Sequence, residues 1–283
     1  MTYWPKFVPD KGIAFMKGFQ YLILSLLFMS TVVSAEITSV EALINSSSNQ
    51  NRLSQEMLKN YILVGMSVRA RKAEQDLNAA IVEYEAAETE ILKYVNKHAS
   101  EQSLSYSTPD TVGDAFRKAA EHWDVVKPLY EKEPTKENVE NVRVQTELLL
   151  KEWMLVTAEI NAKTESAYGN LISTAGFVRM LSQRVSSHYA LRAWGFNDRY
   201  SEPFIESLQL FEQNRDVLES SKLNSDQIKN ELNKIQKDFK RFKDLSDMDF
   251  NKALLPLIMR SAEKITQSMD KVTSMYQGLS VSP

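Results

Sequence analysis

Arg179, Ser182, Gln183 and Ser186 stand at i, i+3, i+4 and i+7, so on an α-helix they share one face. A guanidinium beside hydroxyl and amide groups suits a small planar oxyanion, because its fixed fork of donors engages such an anion at two points. Arg184 lies one residue beyond Gln183, and Gly176 three before Arg179. A glycine inside a helix costs about 1 kcal/mol against alanine. Close approach of a second helix or of a ligand would explain Gly176. The competing reading is plain surface: exposed arginines with ordinary polar neighbours.

These residues need a helix to carry them, and the chain is built for helices. Gly and Pro number eight each in 283 residues, and Ala, Leu, Glu, Lys, Gln and Met, which keep most of their side-chain freedom in a helix, are abundant. Leu171, Ala175, Val178, Leu181, Val185 and Tyr189 form an apolar stripe beside the polar face. Similar stripes recur along the chain. Thr38-Ser39-Val40-Glu41 has capping-box spacing and should open the first helix. Residues 99–110 and the Pro134-Thr135 pair read as breaks, Arg69 to Lys72 as a turn or a charged stretch of continuous helix, and Asn197 to Pro203 as a helix end.

The chain also repeats itself. Leu43 to Val68 lies on Leu171 to Phe196 without a gap at an offset of 128, with Leu53-Ser54-Gln55 on Leu181-Ser182-Gln183. At an offset of 127, Leu77, Ile81, Tyr84 and Ile91 fall on Phe204, Leu208, Phe211 and Leu218. The expected fold is therefore all-α: tandem antiparallel four-helix bundles, residues 36–165 and 166–283, joined by a long shared helix. In the first copy the segment Asn45 to Arg52 is polar throughout. If it is helical, part of it faces the interior and needs partners.

Residues 1–35 are expected to stand outside this fold. Lys17 precedes an uncharged apolar run, Gly18 to Val33, and Val33-Ser34-Ala35 closes it with a small residue. That order is a secretory signal peptide's, with expected cleavage after Ala35 and a periplasmic product, the alternative being an uncleaved amino-terminal anchor. The formal charge of −3 becomes more negative without Lys6, Lys11, Lys17 and Asp10, which offers no footprint for nucleic acid. The chain has no Cys and only His98, His122 and His188. Neither a thiol nucleophile, a His-Glu-x-x-His metal site nor a phosphate loop is present, so no enzyme, metal or cofactor is expected. Glu121-His122 reads as a helix-surface pair, and Trp123, Trp153 and Trp194 as core or interface in preference to a ligand cleft.

The run Ala175-Gly176-x-x-Arg179-Met180-Leu181-Ser182-Gln183-Arg184 resembles the signature of the amino-terminal (PilJ-type) sensor domain of type IV pilus chemotaxis transducers. That family is similar to the periplasmic domain of NarX-like nitrate/nitrite sensor kinases. The resemblance implies that Arg179 matches the arginine that holds the anion on the first bundle helix, with Asn51 at that place in the first copy and Ser48 at that of Gly176. The expected function is a sensory module that binds a small anionic solute at Arg179, Ser182, Gln183, Gly176 and Arg184. It would pass the signal to a membrane receptor or sensor kinase. The helix closing the site would come from the other repeat or from a second copy in a homodimer. The alternative is a docking protein of a pilus or envelope assembly without a small ligand.

Overall fold

Helical periodicity with few breakers should give helix after helix. The computed structural model, which describes residues 36–98, 112–163, 166–248 and 250–280, is all-α. The signal-like segment 1–35 and the stretch 99–110 lie outside the described residues. The helices are α1 (Val40–Gly65), α2 (Ala70–Lys97), α3 (Val112–Tyr130), α4 (Lys136–Ala162), α5 (Ala167–Leu191), α6 (Asn197–Glu219), α7 (Asp226–Ser246) and α8 (Leu255–Ser280). Among the described residues, no helix is long and apolar enough to cross a membrane.

Local chemistry sets several boundaries. Ser39, Thr135, Ser166 and Ser225 are N-caps of α1, α4, α5 and α7, each accepting from the backbone N–H three residues on. Such a cap is worth about 1 kcal/mol. The turn from α1 to α2 holds Ser67 at φ 54°, and that from α5 to α6 holds Gly195 at φ 105°. These two residues are related by the same offset of 128. The duplication thus extends to the backbone of the reversing turn, where glycine adopts at no cost what serine adopts at some strain.

Two expectations need correction. No single helix is shared between the repeats: α4 ends at Ala162 with Lys163 as C-cap, and α5 starts afresh from the extended N-cap Ser166. The second helix end also falls elsewhere. A π-helical turn, Arg192–Phe196, makes the reversal, and Asn197 to Pro203 opens α6 instead of closing α5.

In the first repeat α1 packs on α2 and α4, and α3 packs on α4; in the second, α5 packs on α6 and α8, and α7 on α8. Partners are antiparallel. Ser47 meets Thr157 while Gln55 meets Glu147, and Arg179 meets Asp270 while Gln183 meets Thr266. Each repeat closes over aromatic rings. Tyr84 of α2 lies 4.2 Å from Trp123, and its repeat equivalent Phe211 lies 4.0 Å from Phe239. Trp153 completes the first cluster by donating from Nε1 to the Tyr84 hydroxyl at 2.5 Å.

The repeats are not beads on a string. The described residues form one compact unit, and its most extensive helix pair is α1 with α5, the leading helices of the two repeats.

Candidate functional site: the polar seam between the leading helices

The two leading helices run parallel and in register. Ser48 faces Gly176, its own repeat equivalent, so closely that a Cβ on Gly176 would stand 2.4 Å from the Ser48 Cβ. Further along, Lys59 Nζ donates to Gln183 Oε1 at 2.7 Å and Ser187 Oγ to the Gln55 carbonyl at 3.4 Å. The offset of 128 exchanges these two contacts. The seam therefore has a pseudo-twofold axis along the helices, passing near Ser48 and Gly176. The glycine is explained: it admits the other helix, not a ligand.

Three neighbours surround each leading helix, α2, α4 and α5 around α1, and α6, α8 and α1 around α5. Every face is covered, so polar positions are buried along with apolar ones. On α1 these include Ser47, Ser48, Gln50, Asn51, Arg52 and Ser54. On α5 they include Arg179, Ser182, Gln183, Ser186, Ser187 and His188. The all-polar segment Asn45 to Arg52 is helix throughout.

Arg179 is 4 % exposed, which overturns the surface reading. Its Nη1 donates to Asp270 Oδ1 of α8 at 2.7 Å and its Nη2 to Asn45 Oδ1 of α1 at 3.2 Å, while Nε has no partner. Burial lowers its pKa; Asp270 opposes this and Arg52 adds to it. Arg52 of α1 is also buried but fully engaged. It donates to Asn49 at 2.7 Å, to Glu83 at 2.6 Å and to Glu56. Burial disfavours its charge, yet Glu56, Glu83 and Asp270 together raise its pKa. Arg52 thus lies near Arg179 as a second buried cation, and α1 packs against the face of α5 that carries Arg179.

Ser182 donates to the Arg179 carbonyl at 2.7 Å and lies 2.8 Å from the Thr266 hydroxyl, to which Gln183 Nε2 also donates at 2.7 Å. Gln183 thereby links α8 to Lys59 of α1. Arg184 points elsewhere. It is half-buried and pairs with Glu147 of α4 at 2.7 Å, tying the second repeat to the first. The five sequence-predicted residues therefore divide: Arg179, Ser182 and Gln183 share the α5–α8 side of the seam, Gly176 lies on its axis, and Arg184 forms a brace outside it.

Sequence reasoning did not find Asp270, 91 residues from Arg179, or Lys59 as a seam residue. No local spacing signals either of them. Arg52 with Glu56 four residues on was legible as a helix pair, but not as a neighbour of Arg179. His188 is buried, with burial and then the charge of Arg184 holding its pKa down to about 3. His122 lies 3.2 Å from the Gln145 carbonyl. Among the described residues, no group of three or more metal-ligating side chains lies together.

Fold and site define the class: an all-helical bundle with a buried polar seam between its two leading helices. Compared with known proteins, the chain matches no family model, no curated protein and no solved structure.

Proposed function

We propose that this is a non-catalytic sensory module acting in the periplasm, which binds a small oxyanion at the seam and relays the change to a membrane receptor or kinase. The polar seam carries this reading. Ser48 Oγ, Gln50 Oε1, Asn51 Oδ1, Gln55 Oε1 and Arg179 Nε are buried without partners, and each such atom costs about 1–3 kcal/mol. A scaffold that only had to hold together would gain by filling the same positions with apolar side chains. A seam that responds to a ligand needs polar groups with unspent hydrogen-bonding capacity.

In this reading Asp270 stands in for the ligand. Its side chain is 48 % exposed and lines a surface groove of about 630 Å³ between α7 and α8. A planar oxyanion arriving through that groove displaces the carboxylate and takes the Arg179 fork, with Asn45 beside it. Both leading helices then respond, because Arg179 and Asn45 belong to different repeats. The Arg179–Asp270 pair itself favours the second reading, a docking protein in which the arginine serves only as an internal brace.

Thermal-shift titration of the protein with nitrate, nitrite and sulfate tests this. The expected outcome is a rise in melting temperature for wild type, a larger rise for Asp270→Asn and none for Arg179→Ala. An equal response in the Arg179→Ala protein would eliminate this site and favour the docking reading.

A further inference from the structure

Lys59 lies on α1, eleven residues beyond the axis residue Ser48, and is 8 % exposed. An ammonium carries three N–H donors, and here one reaches an acceptor, Gln183 Oε1 at 2.7 Å. Among the described residues, no carboxylate lies within ion-pairing distance of it. The nearest in sequence, Glu56, is engaged by Arg52. Beside it Asn60, 2 % exposed, has an Nδ2 with no hydrogen-bond partner. A buried unpaired cation beside a buried unused donor is costly, and a site that keeps both has a use for an anion.

Both side chains line the floor of one cleft of about 380 Å³, between the end of α1, the start of α2 and the first turns of α8. Its rim carries Arg69 and Arg260, both exposed and, among the described residues, neither in an ion pair, whereas Lys72 is spent on Asp76. Glu263 is the one rim carboxylate not engaged by a cation. The remaining wall is apolar: Leu63, Val68, Ala73, Pro256 and Met259. Donors at the floor, guanidinium groups at the mouth and hydrocarbon between them match an organic acid better than a bare inorganic ion.

We propose that this cleft binds a small organic acid whose carboxylate takes the ammonium of Lys59 and the amide of Asn60. Its short apolar body lies against Leu63, Val68 and Met259, and Arg69 and Arg260 guide it in. The cleft joins α1 and α2 of the first repeat to α8 of the second, so an occupant bears on the seam through Lys59 and Gln183. This site is separate from the oxyanion position at Arg179 and stands without it.

Calorimetric titration of the full chain with acetate, butyrate, succinate, citrate, inorganic phosphate and nitrate decides the matter. At least one carboxylate with a carbon chain is expected to bind more tightly than acetate and phosphate. Lys59→Met should weaken it roughly 10- to 100-fold, the factor for losing a hydrogen bond to a charged group. Arg260→Glu, an exposed change that leaves folding intact even if Lys59→Met does not, should weaken it roughly threefold or more. Arg179→Ala should leave carboxylate binding in place while losing any response to nitrate, which separates the two sites. Carboxylate binding that survives both Lys59→Met and Arg260→Glu would overturn the proposal. So would phosphate as the only ligand, or no binding by any of the six probes.

Discussion

The offset of 128 carries Glu56, Lys59, Asn60 and Leu63 of α1 onto Arg184, Ser187, His188 and Leu191 of α5. The two flanks of the seam are therefore equivalent in backbone and opposite in content. On the α5 flank Arg184 pairs with Glu147 at 2.7 Å, and Glu140 holds Arg143 at 2.8 Å and the Tyr200 hydroxyl at 2.5 Å. His188 stacks on Tyr200 with ring centroids 5.8 Å apart. Side chains have consumed the space and one another's charge. On the α1 flank the Lys59 ammonium, bonded to Gln183, and the unpartnered Asn60 amide line a cleft of about 380 Å³ in which Glu263 is the one carboxylate not engaged by a cation. Equivalent positions along the two helices thus carry a brace on one flank and a lined cleft on the other.

The comparison rests on the pseudo-twofold axis, so the sharpest way to break it is at the axis. Gly176→Ser forces two serine side chains to share space where a Cβ already comes within 2.4 Å of the Ser48 Cβ. Overpacking of this kind should cost roughly 3 kcal/mol in urea denaturation. Ser48→Gly added to it exchanges the two residues across the axis and should restore most of that loss. A double variant no better than Gly176→Ser would show that the seam is not symmetric there.

Acid should next strike the closed flank. His188 has its folded pKa at about 3, below the ordinary 6.5 of the unfolded chain. The unfolded state therefore takes up the proton first. The contribution of His188 is complete above about pH 6.5 and falls by about 1.4 kcal/mol per pH unit as the pH drops towards 3, so about 2 kcal/mol is gone at pH 5. Denaturation midpoints measured between pH 7 and 5 should fall steeply in wild type and more gently in His188→Asn, which installs the residue of the open flank. Parallel slopes in the two proteins would remove His188 as the cause.

The brace comes third. Arg184→Ala leaves Glu147 half-buried without its cation, and should destabilise by about 1–2 kcal/mol. Glu147→Ala combined with it should cost less than the sum of the single changes, the mark of coupled partners. The smallest effect has the opposite sign. Lys59→Met without ligand removes a buried charge that lacks a counter-ion, and should leave stability unchanged or raise it by up to about 1 kcal/mol. A large loss would mean that the hydrogen bond to Gln183 outweighs the cost of the buried charge, and that the two flanks differ less than their contents suggest.

Much of this molecule was set by periodicity alone. The 3.6-residue recurrence of apolar positions, the scarcity of Gly and Pro and the serine and threonine caps follow from the geometry of one helix. They gave an all-α fold and placed Arg179, Ser182, Gln183 and Ser186 together. The internal repeat was equally legible, because identical Leu-Ser-Gln triplets at one offset need no tertiary information. Breaks were less so: nothing at Ala162 to Ser166 is a strong breaker, yet the helix stops, and Pro203 sits inside α6 where a stop was expected. The turn at Gly195 had already reversed the chain. What only the tertiary structure decided is which surfaces meet. The leading helices of the repeats pack in parallel, placing Arg179 beside Asn45 and Asp270 and leaving Lys59 without a counter-ion. Those partners lie up to 134 residues apart. Spacing along one helix fixes what shares a face, but not what another helix brings to it, since that depends on how all the faces are packed at once.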